Sequence, residues 1–408
     1  DTGAMTDTRV VLKDDLLDGQ VLRLLGATPY GGADVAEVLS TARGIKGTDL
    51  DSWYDAWTAL GDRVAELGSA SEQAGDVESA KLAYWRASNY YRTAGSMLMG
   101  LPVDPRLADA LHRCRDTFRR GAALMAQPPE IIEIPFEGTT LPGYFFRVDA
   151  DPTPRATVIT MGGYDSVVEE QYFFNAAAAL ARGYNVLMFD GPGQGTVLVD
   201  QGLPMRPDWE AVVTPVVDYA VTRADVDPNR LVLVGLSLGA YLAPRAASAE
   251  HRLAACVADC GTYDMYAGFL ERLPGPLRKG FEAGSTIEVA AVREMLGALA
   301  KKPTAGWALR RGMQVHQVDS PLAYVEAMKP YSLVGRAEQI TCPTWVCNAE
   351  GDDISASATE LVAALTCPHQ FVTFTAAEGA AAHCESGART LFHARMFSWL
   401  DPILKPRG

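Results

Sequence analysis

The stretch from Arg230 to Ala243 reads RLVLVGLSLGAYLA, and it is the most informative part of the chain for the fold. An apolar run with the composition of a strand ends at Gly235, and small residues typical of a helix start follow Gly239. Ser237 lies between the two glycines in a G-x-S-x-G pattern. A sharp strand-to-helix turn leaves room only for glycine at these positions and lifts the serine hydroxyl clear of the sheet. The pattern therefore predicts a nucleophilic serine, and the alternative is a structural turn serine.

Other apolar runs of strand length surround this stretch, and they alternate with helical segments such as EEQYFFNAAAALARG. In chain order they are EIIEIPF, GYFFRV, ATVITM, YNVLMF, RLVLVG, LAACVAD, PTWVCN and QFVTF. The first two are separated by EGTTLP, which suggests an antiparallel hairpin. The later runs are continuously apolar, as in strands that are covered on both faces. The sequence therefore predicts an α/β fold with a mostly parallel central sheet flanked by helices.

The residues before the sheet have the periodicity of helices. One apolar stripe consists of Trp53, Trp57, Leu60, Val64 and Leu67, and a second of Ala80, Tyr84, Ala87, Tyr91, Ala94 and Leu98. Both repeat at the spacing of one helical face. Gly75 and Asp76 separate the two helices, with Asp76 as a candidate cap, and a further helix is expected over roughly 106–125. We expect these aromatic stripes to pack as core.

These patterns divide the chain into five parts. Residues 1–5 (DTGAM) are interpreted as an artificial remnant ahead of a native start at Met5, and residues 6–127 as a helical N-terminal cap domain. The α/β core is expected over 128–261 and 336–408. Between its two parts, residues 262–335 are helical and punctuated by prolines, which predicts a lid inserted after the sixth strand.

Composition excludes several classes of protein. The chain has 408 residues, a formal charge of −14 and no basic patch, so binding to nucleic acid is not expected. No apolar run is long enough for a membrane span, and the N-terminus lacks the pattern of a secretory signal. The seven cysteines show no paired C-x-x-C spacing, which argues against a zinc site or disulfides and favours reduced thiols in the cytoplasm. Cys384 is interpreted as a packed thiol rather than a nucleophile.

A serine nucleophile needs a base, and an acid to orient that base. His383 lies in the loop TAAEGAAAHCESGA after the last predicted strand, where it can reach over the carboxyl edge of the sheet. Surface or core positions fit the other five histidines better (112, 251, 316, 369 and 393). For the acid, Asp352 in the turn of PTWVCNAEGDDISAS is the first candidate, followed by Asp259 and then Asp353.

Two glycine-rich segments complete the predicted site. TMGGYDS follows the third strand, so the N–H of Gly163 or Tyr164 is expected beside the N–H of Leu238 as an oxyanion hole. FDGPGQG (189–195) is interpreted as a turn that packs beside the nucleophile loop. Tyr164, Asp165 and Tyr241 are candidate substrate-binding residues, and a structural role is an equal alternative for each.

With these residues in order, the chain resembles the α/β-hydrolase fold. It is further similar to the subfamily of 2,6-dihydroxypseudooxynicotine hydrolase and the fungal hydrolases that shorten polyketide chains. The resemblance rests on WYDAWTALGDRVAELG, GDVESAKLAYWRASNYYRTA, IIEIPFEG, MGGYDSVVEE, FDGPGQG and GLSLGA, and spans nearly the whole chain. It implies a cofactor-free enzyme without a metal, with Ser237, Asp352 and His383 as its triad beneath the helical region. An additional glutamate of the nicotine-pathway enzyme has no match here, where the comparable stretch offers Asp264 and Glu271.

Several members of that subfamily cleave a carbon–carbon bond beside a ketone, so we expect a hydrolase of a mid-sized aromatic or polyketide-like small molecule. The same triad would serve an esterase, a thioesterase or an acyl-transfer cyclase, since the pocket sets the leaving group. A hydrolase-shaped binding protein without turnover is the third alternative. The aromatic helical region also leaves room for a homodimer interface.

Overall fold

The computed structural model describes residues 9–404, so the interpretation of residues 1–5 as a remnant lies outside the described residues. Eight strands form one sheet with the order β1-β2-β4-β3-β5-β6-β7-β8. They are β1 (Glu130–Phe136), β2 (Thr139–Phe146), β3 (Arg155–Met161), β4 (Asn185–Phe189), β5 (Val226–Leu236), β6 (Ala255–Asp259), β7 (Thr344–Ala349) and β8 (His369–Phe374). Each of the eight predicted apolar runs overlaps one of these strands.

The sheet is parallel from β4 to β8 in its spatial order, and only β1 and β2 add antiparallel pairs. Every residue of β4 and of β6 is buried, as expected for strands covered on both faces. The predicted hairpin is present, but its turn is shorter than EGTTLP. Glu137 and Gly138 alone connect the strands, and both have positive φ (41° and 85°), which suits a tight two-residue turn.

Sixteen α-helices surround the sheet in the described part of the chain. Before the sheet lie α1 (Asp15–Leu25), α2 (Val35–Ala42), α3 (Leu50–Gln73), α4 (Val77–Ser96) and α5 (Pro105–Ala123). Between strands lie α6 (Ala177–Leu180), α7 (Gly195–Gln201), α8 (Glu210–Val221) and α9 (Gly239–Ala247). After β6 lie α10 (Met265–Glu271), α11 (Gly275–Glu282), α12 (Thr286–Ala300), α13 (Trp307–His316), α14 (Pro321–Ala327), α15 (Ala358–Ala364) and α16 (Arg389–Leu404). Across residues 9–404, none of them is long and apolar enough to cross a membrane.

Helices α3 and α4 pack closely because glycines face tyrosine rings. A Cβ at Gly61 or Gly68 would lie 2.7 Å from the ring of Tyr91 or Tyr84, so only glycine allows this approach. The predicted stripe of α3 is buried from Trp53 to Val64, but its last member is exposed: Leu67 is 49% accessible. At that turn of α3, Gly68 rather than Leu67 contacts α4, through the ring of Tyr84.

The segment EEQYFFNAAAALARG is less regular than the predicted helix. A π-helical turn covers Tyr172–Ala176, and only Ala177–Leu180 continues as α-helix. Extra residues of this kind are accommodated as π-bulges, often near functional sites. The turn brings Phe174 and Asn175 within hydrogen-bonding reach of Arg389 in α16, beneath the loop that carries His383.

Helices α10 to α14 fall within the residues predicted as a lid. They contact the N-terminal helices directly: Trp307 Nε1 donates to the carbonyl of Ser96 at 3.0 Å, and the Gly100 N–H donates to Gln314 Oε1 at 2.7 Å. The Met205 N–H donates to the carbonyl of Val315. The three predicted internal boundaries, after residues 127, 261 and 335, all fall between helices and strands, while the division into domains stays a prediction.

Candidate active site

The nucleophile loop has the strained geometry that its sequence predicts. Ser237 follows β5 and precedes α9, and its φ of 62° is in the left-handed region. A Cβ at Gly235 would lie 1.9 Å from the Gly239 carbonyl oxygen, and one at Gly239 would lie 3.0 Å from the Gly162 carbonyl oxygen. These approaches explain the glycines on both sides of the serine. A strained, non-glycine residue held in this way is typical of a functional site.

Ser237, His383 and Asp352 lie in one hydrogen-bonded row. His383 Nε2 is 2.9 Å from Ser237 Oγ, and His383 Nδ1 is 2.8 Å from Asp352 Oδ2. Because an ionised carboxylate only accepts, Nδ1 carries the proton and Nε2 is left to accept from the serine hydroxyl. The three residues come from loops after β5, β7 and β8, whose carboxyl ends meet at one edge of the parallel sheet.

The structure places the three candidate acids in different surroundings. Asp352 is buried, and its Oδ1 accepts from the Ile354 N–H at 3.0 Å while Oδ2 faces the imidazole. Asp353 is exposed. Asp259 is fully buried but forms an ion pair with Arg389 Nη1 at 2.6 Å. Of the three, Asp352 is the acid that the structure brings to His383.

The charges of this row support proton transfer. Burial acts to raise the pKa of Asp352, but the neighbouring His383 and its hydrogen bond hold that pKa below its ordinary value. Burial acts to lower the pKa of His383, whereas Cys384 and Asp352 raise this pKa well above 6.5. A carboxylate at this position stabilises the protonated form of the His383 imidazole.

The backbone of Gly163 lies against the loop that carries Ser237. Gly163 approaches so closely that a Cβ there would lie 2.8 Å from the Leu238 nitrogen and 2.9 Å from Ser237 Cβ. Within residues 9–404, the N–H groups of Gly163 and Leu238 donate no backbone hydrogen bond to another part of the chain. Gln194 of the FDGPGQG turn donates to the carbonyls of Gly162 and Gly163 at 2.8 and 3.2 Å, and so fixes this loop. The N–H groups of Leu238 and Gly163 therefore remain the candidate donors of an oxyanion hole.

A buried ion-pair network lies beneath the histidine loop. Arg389 contacts Asp259, Glu385, the carbonyl of Cys384 and the side chain of Asn175. Burial and the neighbouring Asp259 raise the pKa of Glu385 well above its ordinary value, which favours its neutral form. The network ties the loop after β8 to β6 and to the π-helical turn, so Arg389 is a positioning residue for His383. Sequence reasoning gave Arg389 no role, because its partners are distant in the chain.

Two of the three candidate substrate-binding residues line a cavity between the N-terminal helices and the core. Tyr164 and Asp165, which follow Gly163 directly, form one wall of this cavity. The other walls consist of residues from α4, α5, α7 and the segments beside them: Arg92, Ser96, Met99, Leu107, Leu111, Ser166, Val167, Gly195, Leu198 and Val199. Tyr241 does not line this cavity; its hydroxyl donates to the carbonyl of Pro207 at 3.1 Å and its ring packs on Tyr331.

Buried charges and a histidine hold the wall formed by Tyr164 and Asp165. Asp165 pairs with Arg23 of α1 at 2.8 Å and with Arg311 of α13 at 3.5 Å. Burial acts to raise the pKa of Asp165, but Arg23 and Arg311 hold it well below its ordinary value. His316, the last residue of α13, lies 2.8 Å from the Tyr164 hydroxyl, and burial together with Arg311 lowers its pKa to about 4. The sequence gave no signal for these contacts, which join segments about 150 residues apart.

The remaining candidates lie outside the hydrogen-bonded row. Asp264 caps α10 by accepting from the Ala267 N–H, and Glu271 is exposed at the end of that helix. Neither hydrogen-bonds to the row of Ser237, His383 and Asp352 in the described part of the chain. Cys384 is buried, with its sulfur 3.5 Å from His383 Nε2.

The comparisons agree with this geometry. A family model of the alpha/beta hydrolases matches residues 162–390, more than half of the chain. The chain therefore belongs to the alpha/beta hydrolase family. The glycine-flanked turn that carries Ser237 and the mostly parallel sheet are features of the same fold.

Two fungal proteins are among its relatives. Over 96% of this chain and 97% of the relative, the sequence is 34% identical to "20-hydroxy-prefusarin hydrolase FUS2" of Gibberella moniliformis. It is 39% identical to "Alpha/beta hydrolase psoB" of Aspergillus fumigatus over 69% of this chain and 66% of that one. Of the solved structures, 2,6-dihydroxy-pseudo-oxynicotine hydrolase has the same fold, with a TM-score of 0.73, 21% identity and coverage of 93% and 95% of the two chains.

Proposed function

We propose that this chain is a serine hydrolase that attacks the carbonyl carbon of a mid-sized, partly aromatic or polyketide-like molecule. The observation that carries the proposal is the row of two hydrogen bonds, 2.9 Å from His383 to Ser237 and 2.8 Å from His383 to Asp352. Nucleophile, base and orienting acid at these separations are what covalent catalysis by serine requires.

In the first half of the reaction, His383 Nε2 takes the hydroxyl proton as Ser237 Oγ bonds to the carbonyl carbon. The carbonyl oxygen gains a negative charge, which the N–H groups of Leu238 and Gly163 stabilise by hydrogen bonds. Asp352 keeps the imidazole in the required tautomer and stabilises its charge. As the intermediate collapses, the bond to the leaving group breaks, the leaving group takes the proton from His383, and an acyl-serine remains.

In the second half, His383 takes a proton from water, and the hydroxide formed bonds to the acyl carbon. Collapse releases the carboxylic acid and returns the proton to Ser237. His383 accepts and then returns each proton that is transferred in this cycle.

Two observations support the substrate class. The cavity lined by Tyr164 and Asp165 combines apolar walls from Met99, Leu107 and Leu111 with the charged groups of Arg92 and Asp165, so its lining suits a partly apolar molecule with polar oxygens. The relative that shares 34% of its residues over nearly the full length is a hydrolase of 20-hydroxy-prefusarin. A carbon leaving group must be stabilised as it departs, so carbon–carbon cleavage would require a neighbouring phenol or second ketone in the substrate.

A fluorophosphonate probe tests the proposal without knowledge of the substrate. Ser237 Oγ attacks its phosphorus, fluoride leaves, and a stable adduct forms on the serine. We expect one adduct per chain, mapped to Ser237 by mass spectrometry of peptides, and none in Ser237→Ala. Absence of labelling in the folded wild-type chain, or equal labelling of Ser237→Ala, contradicts the proposal. With a polyketide substrate in water labelled with heavy oxygen, hydrolysis places the label in the acid product, whereas cyclisation leaves it out.

A further inference from the structure

Two cysteine thiols lie against the imidazole of His383. Cys260 directly follows β6 with a φ of 68°, and Cys384 directly follows His383 with a φ of 51°. Cys384 Sγ is 3.5 Å from His383 Nε2, and the Cys384 N–H donates to Cys260 Sγ at 2.9 Å. One ligand atom from each of the three residues lies within 4.8 Å of the other two. The backbone thus holds two sulfurs and one ring nitrogen in a single cluster.

The spacing of these atoms suits a tetrahedral metal ion. Bond lengths of about 2.3 Å for Zn–S and about 2.0 Å for Zn–N place a sulfur and a nitrogen on one zinc ion about 3.5 Å apart. The separation of Cys384 Sγ from His383 Nε2 is 3.5 Å. Two thiolates and an imidazole are the ligands that soft or borderline ions such as Zn²⁺ and Cd²⁺ prefer over Mg²⁺ or Ca²⁺.

We propose that Cys260, His383 and Cys384 form a binding site for a thiophilic divalent ion, Zn²⁺ or Cd²⁺, which inhibits the enzyme. Binding replaces the protons of two thiols, releases them to solvent, and occupies the lone pair of His383 Nε2. Ser237 Oγ, 2.9 Å from the same nitrogen, then loses its base. The inhibition rests on the proposed function, whereas the binding itself does not.

The ion has a way in from the His383 side. The His383 side chain is 36% exposed, while Cys260 and Cys384 are 0% and 3% exposed and form the inner side of the cluster. Ser237 Oγ lies 2.9 Å from His383 Nε2, so water or this hydroxyl can serve as the fourth ligand of a tetrahedron. The two cysteines are separated by more than 120 residues in the chain, so the cysteine spacing that argued against a zinc site could not reveal this cluster.

A neighbouring set of possible ligands is less suitable. Asp259, Cys347 and Glu385 also lie within 4.8 Å of one another, and all three are buried. Arg389 already pairs with the two carboxylates at 2.6 and 3.4 Å. A cation there would have to compete with a buried guanidinium, so this set provides the control for the experiment.

Cadmium binding is measured on Ser237→Ala, which needs no turnover. In a phosphine reductant, Cd²⁺ is titrated while the ultraviolet charge-transfer band of cadmium–thiolate bonds is recorded. We expect one ion per chain, and affinity at least about 10-fold weaker when Cys260→Ser, Cys384→Ser or His383→Gln is added, since a ligand is lost. Cys347→Ser, added to the same chain, is the matched control and should keep the affinity of Ser237→Ala. Mg²⁺ should give no band and no competition.

Inhibition is measured on the wild-type chain with a p-nitrophenyl ester and Zn²⁺. We expect loss of turnover that a chelator reverses, with at least about 10-fold less sensitivity in Cys260→Ser. A missing cadmium band, or a band that Cys347→Ser removes and the Cys260, Cys384 and His383 variants retain, overturns the proposal. If Ser237 failed to react with fluorophosphonate while the cadmium band remained, the proposed function would fail and the metal site would stand. Because His383 is the most exposed ligand, His383→Gln keeps the test decisive even if a cysteine variant fails to fold.

Discussion

Two regions of the molecule, the hydrogen-bonded row and the wall formed by Tyr164 and Asp165, differ in the contacts that hold them in place. The row of Ser237, His383 and Asp352 lies on loops at the end of one parallel sheet, and two hydrogen bonds join its members. In the wall formed by Tyr164 and Asp165, Asp165 is held by buried ion pairs to Arg23 and Arg311. The first region depends on sheet topology, whereas the second depends on contacts between distant segments. Changes to the first should alter chemistry, and changes to the second should alter stability and binding.

Apart from removal of the Ser237 hydroxyl itself, the largest effect is expected from Asp352→Asn. An amide at this position stabilises the wrong tautomer of His383, and such a change lowers kcat by about 10⁴-fold. Asp353→Asn is the matched control, because Asp353 is exposed and should leave kcat unchanged. Turnover of a p-nitrophenyl ester by both variants measures the difference. Equal loss in both, or none in Asp352→Asn, would contradict the assigned acid.

The pH dependence of kcat/KM gives a prediction with a defined direction. His383 must be neutral to accept a proton, so kcat/KM rises with pH through the pKa of His383. Cys384 and Asp352 raise that pKa above 6.5, so we expect the midpoint of the rise above this value in the wild-type chain. Removing the carboxylate charge in Asp352→Asn should move the midpoint to lower pH. A midpoint that does not move would show that Asp352 does not act on His383.

The next largest effect, on the free energy of unfolding, is expected from Arg23→Met, which removes buried ion pairs near the wall formed by Tyr164 and Asp165. Arg23 pairs with both Asp165 and Glu170, and the Glu170 side chain is 1% exposed. Removing one partner of a buried pair lowers the free energy of unfolding by about 3–5 kcal/mol. Urea denaturation measures this change. Arg9→Met, at an exposed pair with Asp15, is the control and should cost less than about 1 kcal/mol.

A smaller effect is expected from Gly163→Ala. Its Cβ would lie 2.8 Å from the Leu238 nitrogen, so the loop must shift and the oxyanion hole is disturbed. Loss of one such donor reduces kcat by about 10²–10³-fold. Gly268→Ala, where a Cβ meets nothing within 4 Å, is the control for the same substitution. Equal kcat values for the two variants would contradict a role for Gly163 in the oxyanion hole.

The smallest effect is expected from Leu67→Ala in α3. Leu67 is 49% exposed, so its truncation should change the free energy of unfolding by less than about 0.5 kcal/mol. Leu60→Ala, seven residues earlier on the same helix and 1% exposed, should cost about 2–5 kcal/mol. Thermal or urea denaturation measures both. A large loss in Leu67→Ala would indicate that this exposed face is covered in solution, for example by a second copy of the chain.

The same comparison explains what the sequence could predict. Most of the strands were recognisable because buried parallel strands are continuously apolar, and the antiparallel pair of β1 and β2 was recognisable as a hairpin. The positions of Ser237, Asp352 and His383 followed from the order of loops after the strands. Local rules fail where packing decides: the predicted burial of Leu67 was wrong because Gly68 takes the contact with Tyr84. The predicted helix over 169–183 was too long, since a π-helical turn replaces its first part.

The contacts of the wall formed by Tyr164 and Asp165 could not be predicted in the same way. Arg23, Arg92 and Arg311 reach the wall formed by Tyr164 and Asp165 from three separate helices, and no spacing along the chain connects them. His316 is similar: its contact with Tyr164 joins the inserted helices to the loop of Gly163. Charge pairs of this kind depend on tertiary distance alone. Substrate preference, which these residues would influence, therefore needs structure as well as sequence.

Everything proposed for catalysis depends on a covalent bond to one hydroxyl, so turnover by Ser237→Ala is the most direct measurement. With a p-nitrophenyl ester and circular dichroism to confirm an unchanged fold, the account predicts a fall in kcat of about 10⁶-fold. A correctly folded Ser237→Ala enzyme that retains turnover near the wild-type rate would contradict it.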